Sequence, residues 1–161
     1  MIELATARLT SLASQVEFVI GDFRHLQELA PGAGTVDVVF SAYALHHLSR
    51  PDKETVLRQV VELLVPGGWF VNVDLIVADS PELESRLQEI RVSGIVERAR
   101  GSDTRFVDSA STRRFLADLE KNERDQPLTL AADLEVLRSS GLKNVSAFWL
   151  EYCEMVSAGQ K

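Results

Sequence analysis

The chain has 161 residues, 45% of them apolar and 25% charged, and its formal charge at neutral pH is −7. That length makes one domain with a real core, and the negative charge argues against a nucleic-acid or anionic-membrane partner. A single cysteine, Cys153, excludes an internal disulfide and fits a reducing cytoplasm, and no stretch approaches the ~20 apolar residues of a membrane span.

Ile2, Ala5, Leu9 and Leu12 recur at helical spacing, which predicts an amphipathic helix over 2–14. Val16–Ile20 reads as a short strand ended by Gly21-Asp22, followed by one or two helical turns over Phe23–Leu29 and a loop at Pro31–Gly34. Val36–Phe40 is apolar except for Asp37 and suits a strand buried on both faces, as in a parallel sheet. Small residues, Ser41 and Ala42, then admit close approach of a ligand. Tyr43, His46 and His47 supply an aromatic ring and two imidazoles just beyond the strand's carboxyl end, where open α/β sheets hold their ligands.

Asp52–Leu64 predicts a helix whose apolar face is Val56, Leu57, Val60, Val61 and Leu64, with Glu54 and Arg58 as an i,i+4 pair. Pro66-Gly67-Gly68 stops it before a long apolar strand, Trp69–Val77, on which Asn72 and Asp74 share a face. Asp79-Ser80-Pro81-Glu82 starts another helix, with Leu83, Leu87, Ile90 and Gly94 as its buried stripe. Residues 99–127 are polar and weakly periodic; Phe115, Leu116 and Leu119 mark one helix within an insertion expected to form part of a lid. Leu130, Leu134 and Leu137 mark a further helix closed by Gly141, and Val145–Leu150 with Tyr152–Ala158 read as an antiparallel hairpin. Alternation of this kind predicts a single α/β domain over 1–161, mostly parallel, with one antiparallel strand at the carboxyl end.

Four pieces in one order carry a resemblance: Val-Glu-Phe-Val-Ile-Gly-Asp-Phe (16–23), Val-Asp-Val-Val-Phe-Ser-Ala-Tyr-Ala-Leu-His-His-Leu (36–48), Leu-Leu-Val-Pro-Gly-Gly-Trp-Phe (63–70) and Ser-Gly-Leu-Lys-Asn-Val (140–145). Together they resemble the class I S-adenosylmethionine-dependent methyltransferases, nearest the small-molecule branch with a ubiquinone-biosynthesis-like core. The resemblance implies a Rossmann-like methyltransferase core with strand order 3-2-1-4-5-7-6. The family's Gly-rich loop and the acidic residue that holds the ribose are absent from this sequence. The chain thus reads as the family's domain lacking its first two strands and beginning about a third of the way in.

On spacing alone Asp22 is a turn aspartate and Phe23 a core ring; the resemblance assigns Asp22 to the adenine amino group and Phe23 to the purine face. It likewise assigns Ser41, Ala42 and Tyr43, with His46, to the cofactor, and places His47 and Asp74 on the acceptor side, His47 as the catalytic candidate, because imidazole titrates near neutrality. The alternative for the two histidines is a partly exposed pair on a helix, and for Asp74 a polar strand residue facing solvent or a helix end. Adjacent histidines diverge on an α-helix, so no joint metal ligand is expected from them, and no zinc spacing is present.

The implied reaction is methyl transfer from S-adenosylmethionine to a small-molecule acceptor. Without two of the family's binding groups, at ~1.5–3 kcal/mol each, cofactor affinity is expected to fall from micromolar to roughly millimolar. The competing reading is a non-catalytic assembly or binding protein. In either case the gap left by two strands is expected to be closed by Val16–Ile20 sliding beside Val36–Ser41, by a second copy of the chain in a homodimer, or by a partner supplying the strands.

Overall fold

The computed structural model describes residues 2–30 and 32–161; Met1 and Pro31, the first residue of the expected 31–34 loop, lie outside the described residues. Four strands form one sheet in the order β1-β2-β4-β3, where β1 is Val36–Ala42, β2 Leu64–Leu75, β3 Lys143–Glu151 and β4 Glu154–Gln160. The β1–β2 pair is parallel, and β4 lies antiparallel between β2 and β3. This is the 4-5-7-6 side of the order the resemblance implies.

Side-chain alternation on β2 decides which face is the core. Phe70, Asn72 and Asp74 are buried, while Trp69, Val71 and Val73 point the other way and are half-buried. Two helices cover the buried face. Helix α3 (Arg50–Leu63) presents Val56, Leu57 and Val60, and α6 (Leu130–Ser139) presents Val136 and Leu137, around Phe70 and Leu64. Ser49 caps α3 by accepting from the Asp52 amide, Pro51 fills its first turn, and Thr129 caps α6 by accepting from the Ala132 amide. Gly141, with φ +105, follows the end of α6 as expected. The α3 ion pair runs from Arg50 to Glu54, one turn before the expected Glu54–Arg58 pair, because Arg58 turns to the Thr55 hydroxyl.

Beyond the carboxyl tips of the parallel strands lie α4 (Pro81–Ala99) and α5 (Ser109–Glu123), which pack on each other. Ser80 caps α4 and a capping box on Asp108 and Ser111 starts α5. The stripe expected on α4 is rotated: Val92 is its one buried residue and Leu83 is half exposed. The β3–β4 hairpin turns at Tyr152-Cys153, with Tyr152 at φ +53.

The amino-terminal expectations are corrected. A short helix, α1 (Ile2–Arg8), gives way to a 3-10 turn over Thr10–Gln15, and neither contains a buried residue. Val16–Ile20 forms no strand, and Ile20 is 82% exposed. It does not slide beside β1, so β1 keeps an unpaired edge. The short helix α2 (Leu26–Leu29) then lies against α3.

Candidate functional site

The turn from Ala42 to Leu48 separates two hollows at the carboxyl end of β1. Tyr43 adopts φ +48, and its amide donates to the Val73 carbonyl at 2.8 Å, so the chain leaves the sheet in a sharp bend. On one side lies a hollow of about 250 Å³ lined by Phe23, Leu26, Phe40, Ser41, Ala42 and the core residues behind them. It is mainly apolar. Phe23, Ser41 and Ala42 thus meet, as the sequence suggested for a cofactor.

Asp22 stands apart from that hollow. Its carboxylate caps the 3-10 turn Phe23–His25 and is held by the Arg24 side chain at 2.5–3.0 Å, which lowers its pKa to about 2. The local turn role that spacing alone assigns is the one its geometry shows.

On the other side of the bend is a second cavity of about 250 Å³. Tyr43, His46 and His47 line it from β1 and the following turn, Leu116, Leu119 and Glu123 from α5, and Asp125 from the segment after it. The Tyr43 hydroxyl donates to Glu154 at 3.2 Å across this space. Tyr43 and His46, grouped with the cofactor residues by sequence, therefore border this cavity rather than the Phe23 hollow.

The two histidines do not diverge. They sit on a single 3-10 turn, Leu45–His47, after which Leu48 is extended, so the α-helical angle between neighbours does not apply. Their ring centroids are 4.0 Å apart. His46 is buried and its Nδ1 lies 2.5 Å from Asp74, while its Nε2 is 3.6 Å from Asp125. His47 is one-third exposed and its Nδ1 is 2.9 Å from the same Asp125 oxygen. Asp74 is fully buried and also accepts from the Leu75 amide at 3.0 Å, so it supports His46 from behind.

Behind Asp74 the covered face of the sheet is polar. Asn72 lies opposite Ser157 across the β2–β4 pair, both are buried, and their side chains make no hydrogen bond within the described chain. Nearby, Lys53 of α3 and Asp133 of α6 form a buried ion pair at 3.0 Å. Cys153 is buried, and burial pushes its thiol up to about 11, which makes it a poor nucleophile at neutral pH.

Asp125 and Glu123 were not legible as site residues. Glu123 ends α5 and Asp125 follows it, in the least periodic stretch, and Arg124 between them takes φ +58, a turn that no residue type there announces. Gln126 then fastens the segment: its amide donates to the His46 carbonyl at 2.6 Å.

Comparison with known proteins agrees with this architecture. Residues 1–68 match a family model described as a methyltransferase domain. An uncharacterized methyltransferase of Bacillus mycoides is 25% identical over 104 residues, 65% of this chain and 47% of the relative; one of Geobacillus kaustophilus is 32% identical over 83 residues, 52% and 37% respectively. The matched region is thus less than half the length of these relatives. Among solved structures, an O-methyltransferase family protein from Burkholderia thailandensis superposes with a TM-score of 0.62 at 17% identity, over 99% of this chain and 40% of that one. Human N-acetylserotonin methyltransferase in complex with SAM gives 0.55 at 15%, over 92% and 34%. Among the described residues no helix is long and apolar enough to cross a membrane. In sequence over its first 68 residues, and in fold over nearly its whole length, this chain is similar to methyltransferases.

Proposed function

We propose that the chain serves S-adenosylmethionine-dependent methyl transfer to a small-molecule acceptor, with the cofactor in the Phe23–Ser41–Ala42 hollow and the acceptor in the cavity beside Tyr43 and His47. The observation that carries this reading is the pair of hollows flanking one bend at the carboxyl end of β1, where α/β sheets bind ligands. In the reaction a nucleophilic oxygen, nitrogen or carbon of the acceptor attacks the methyl carbon. The carbon–sulfur bond breaks, the neutral thioether leaves, and a proton bound to the nucleophile is lost. Alignment of donor and acceptor supplies most of the rate in such a step. His47 is the partly exposed imidazole placed to meet the acceptor, and α5 with residues 124–127 acts as its lid. Structures of similar fold solved with SAH and with SAM support the choice of cofactor.

Isothermal titration calorimetry with S-adenosylmethionine and S-adenosylhomocysteine tests the reading. Sub-millimolar binding that is lost in Ala42→Trp, which fills the hollow, supports it; heat of binding unchanged by that substitution sinks it. The second reading, a non-catalytic protein that assembles through its sheet, is favoured by the unpaired β1 edge and the exposed Val38 and Phe40 beside it. On that reading neither ligand binds, and a homodimer or a partner supplying strands covers the face.

A further inference from the structure

The cavity beside the two histidines is more than an acceptor pocket. His46, His47, Glu123 and Asp125 each offer one ligand atom, and these four atoms all lie within 4.8 Å of one another. The carboxylate of Asp125 is the hub, 3.6 Å from His46 Nε2 and 2.9 Å from His47 Nδ1. The side chains of His46 and Asp125 are more than nine-tenths buried, so the cluster is built into the fold.

The orientation of His46 is set from behind. Its Nδ1 is held by the buried Asp74 carboxylate, which turns Nε2 toward Asp125 and the cavity. A carboxylate holding the far nitrogen of a ligating imidazole is the usual outer support of a metal-bound histidine. Charge points the same way. Glu120, Glu123, Asp125 and Glu154 all line this cavity, and Arg91 is the one arginine or lysine among them, turned to Glu120 at 3.4 Å. Among the described residues no lysine or arginine pairs with Glu123 or Asp125.

We propose that His46, His47, Asp125 and Glu123 bind one divalent transition-metal ion at the mouth of this cavity. Two imidazoles and two carboxylates suit zinc, iron(II), manganese or cobalt better than magnesium or calcium, which take all-oxygen shells. The cavity beside the cluster, walled by Leu75, Leu116 and Leu119, leaves room for a further ligand on the ion. An acceptor hydroxyl reaching it would lose its proton to solvent more readily. The ion would also tie the carboxyl end of α5 and the segment after it to the turn after β1, with two ligands from each side. The site stands independently of methyl transfer, since its ligands are counted without reference to any cofactor.

Cobalt(II) titrated into the metal-free chain tests this directly. The expected result is one ion per chain, with visible d–d bands of a four- or five-coordinate centre. His47→Gln and Glu123→Gln should each weaken binding about tenfold or more, and Asp74→Asn by roughly 10–100-fold through loss of the outer support. His25→Gln, at an exposed histidine outside the cluster, should leave it unchanged. His47 and Glu123 are exposed enough for their variants to fold, and an unchanged thermal transition of the metal-free variants verifies it. Absence of the bands, or binding that survives both substitutions, overturns the proposal. S-adenosylmethionine binding measured on the same samples keeps the two readings separate.

Discussion

Lys53 and Asp133 face each other in the core, 80 positions apart in sequence, and each is nearly inaccessible to water. Burial raises the Asp133 carboxyl above its usual range although the Lys53 ammonium is 3.0 Å away and opposes that rise. Removing the ammonium alone leaves a buried carboxylate without a counter-charge. Lys53→Met should therefore cost about 3–5 kcal/mol in urea unfolding, and Lys53→Met with Asp133→Leu should recover most of the loss. The sign with pH follows: a carboxyl raised in the folded state contributes stability that is present below its unfolded value, near 4, and lost as pH rises through the folded one. The deficit of Lys53→Met should shrink in acid. Asp22 behaves in the opposite sense. Its pKa of about 2 is set by Arg24, so Arg24→Gln should return it toward the ordinary carboxylate range in a carboxyl-resolved NMR titration. Whether a charged residue is buried was not legible at these positions. Lys53 sits among apolar residues of α3 in a pattern that a solvated lysine would equally fit, and only the approach of α6 decides it.

At the scale of elements, local pattern succeeded where an element's own residues determine it. Helices α3 and α6 carry caps, apolar stripes and terminators in their own sequence, and α3 lies within two residues of its expected bounds. A strand is different, because its existence depends on a second segment. Val16–Ile20 has the composition of a strand but does not join the free edge of β1, and it stays outside the sheet and mostly exposed. The site followed the same division. Ser41 and Ala42 meet Phe23 in a hollow drawn mostly from β1 and α3, close in sequence, whereas Asp125 reaches the histidines from 78 residues away. Gly68 shows how tightly the β1–β2 junction is made. A Cβ there would meet the Asp37 carbonyl oxygen at 2.9 Å and that of Val65 at 3.0 Å, backbone atoms that cannot rotate aside. Gly68→Ala should destabilise the fold by about 1–3 kcal/mol, read as a lower urea midpoint at unchanged slope.

For the molecule as a whole the decisive feature is that the sheet has one covered face. Helices α3 and α6 bury Phe70 and its neighbours, while Val38 and Phe40 on β1 are 55% and 63% exposed. The same edge strand leaves its outer backbone groups unpaired, and Val36–Ala42 contains a single charged residue, Asp37, to discourage pairing. Exposed Phe148 and Trp149 add apolar surface on the opposite edge strand, β3. A surface of this kind associates unless something covers it, and the chain's charge of −7 is too diffuse to prevent contact along one strand. Sedimentation velocity at micromolar concentration should therefore show species heavier than the 17.9 kDa monomer. Val38→Lys with Phe40→Lys places two like charges on the bare face beside that edge and should shift the distribution to monomer. The substitutions point away from the α3–α6 core, so the thermal transition should move little. Monomer alone in the unmodified chain would mean that the exposed face is tolerated in water, and would remove the ground for assembly through β1.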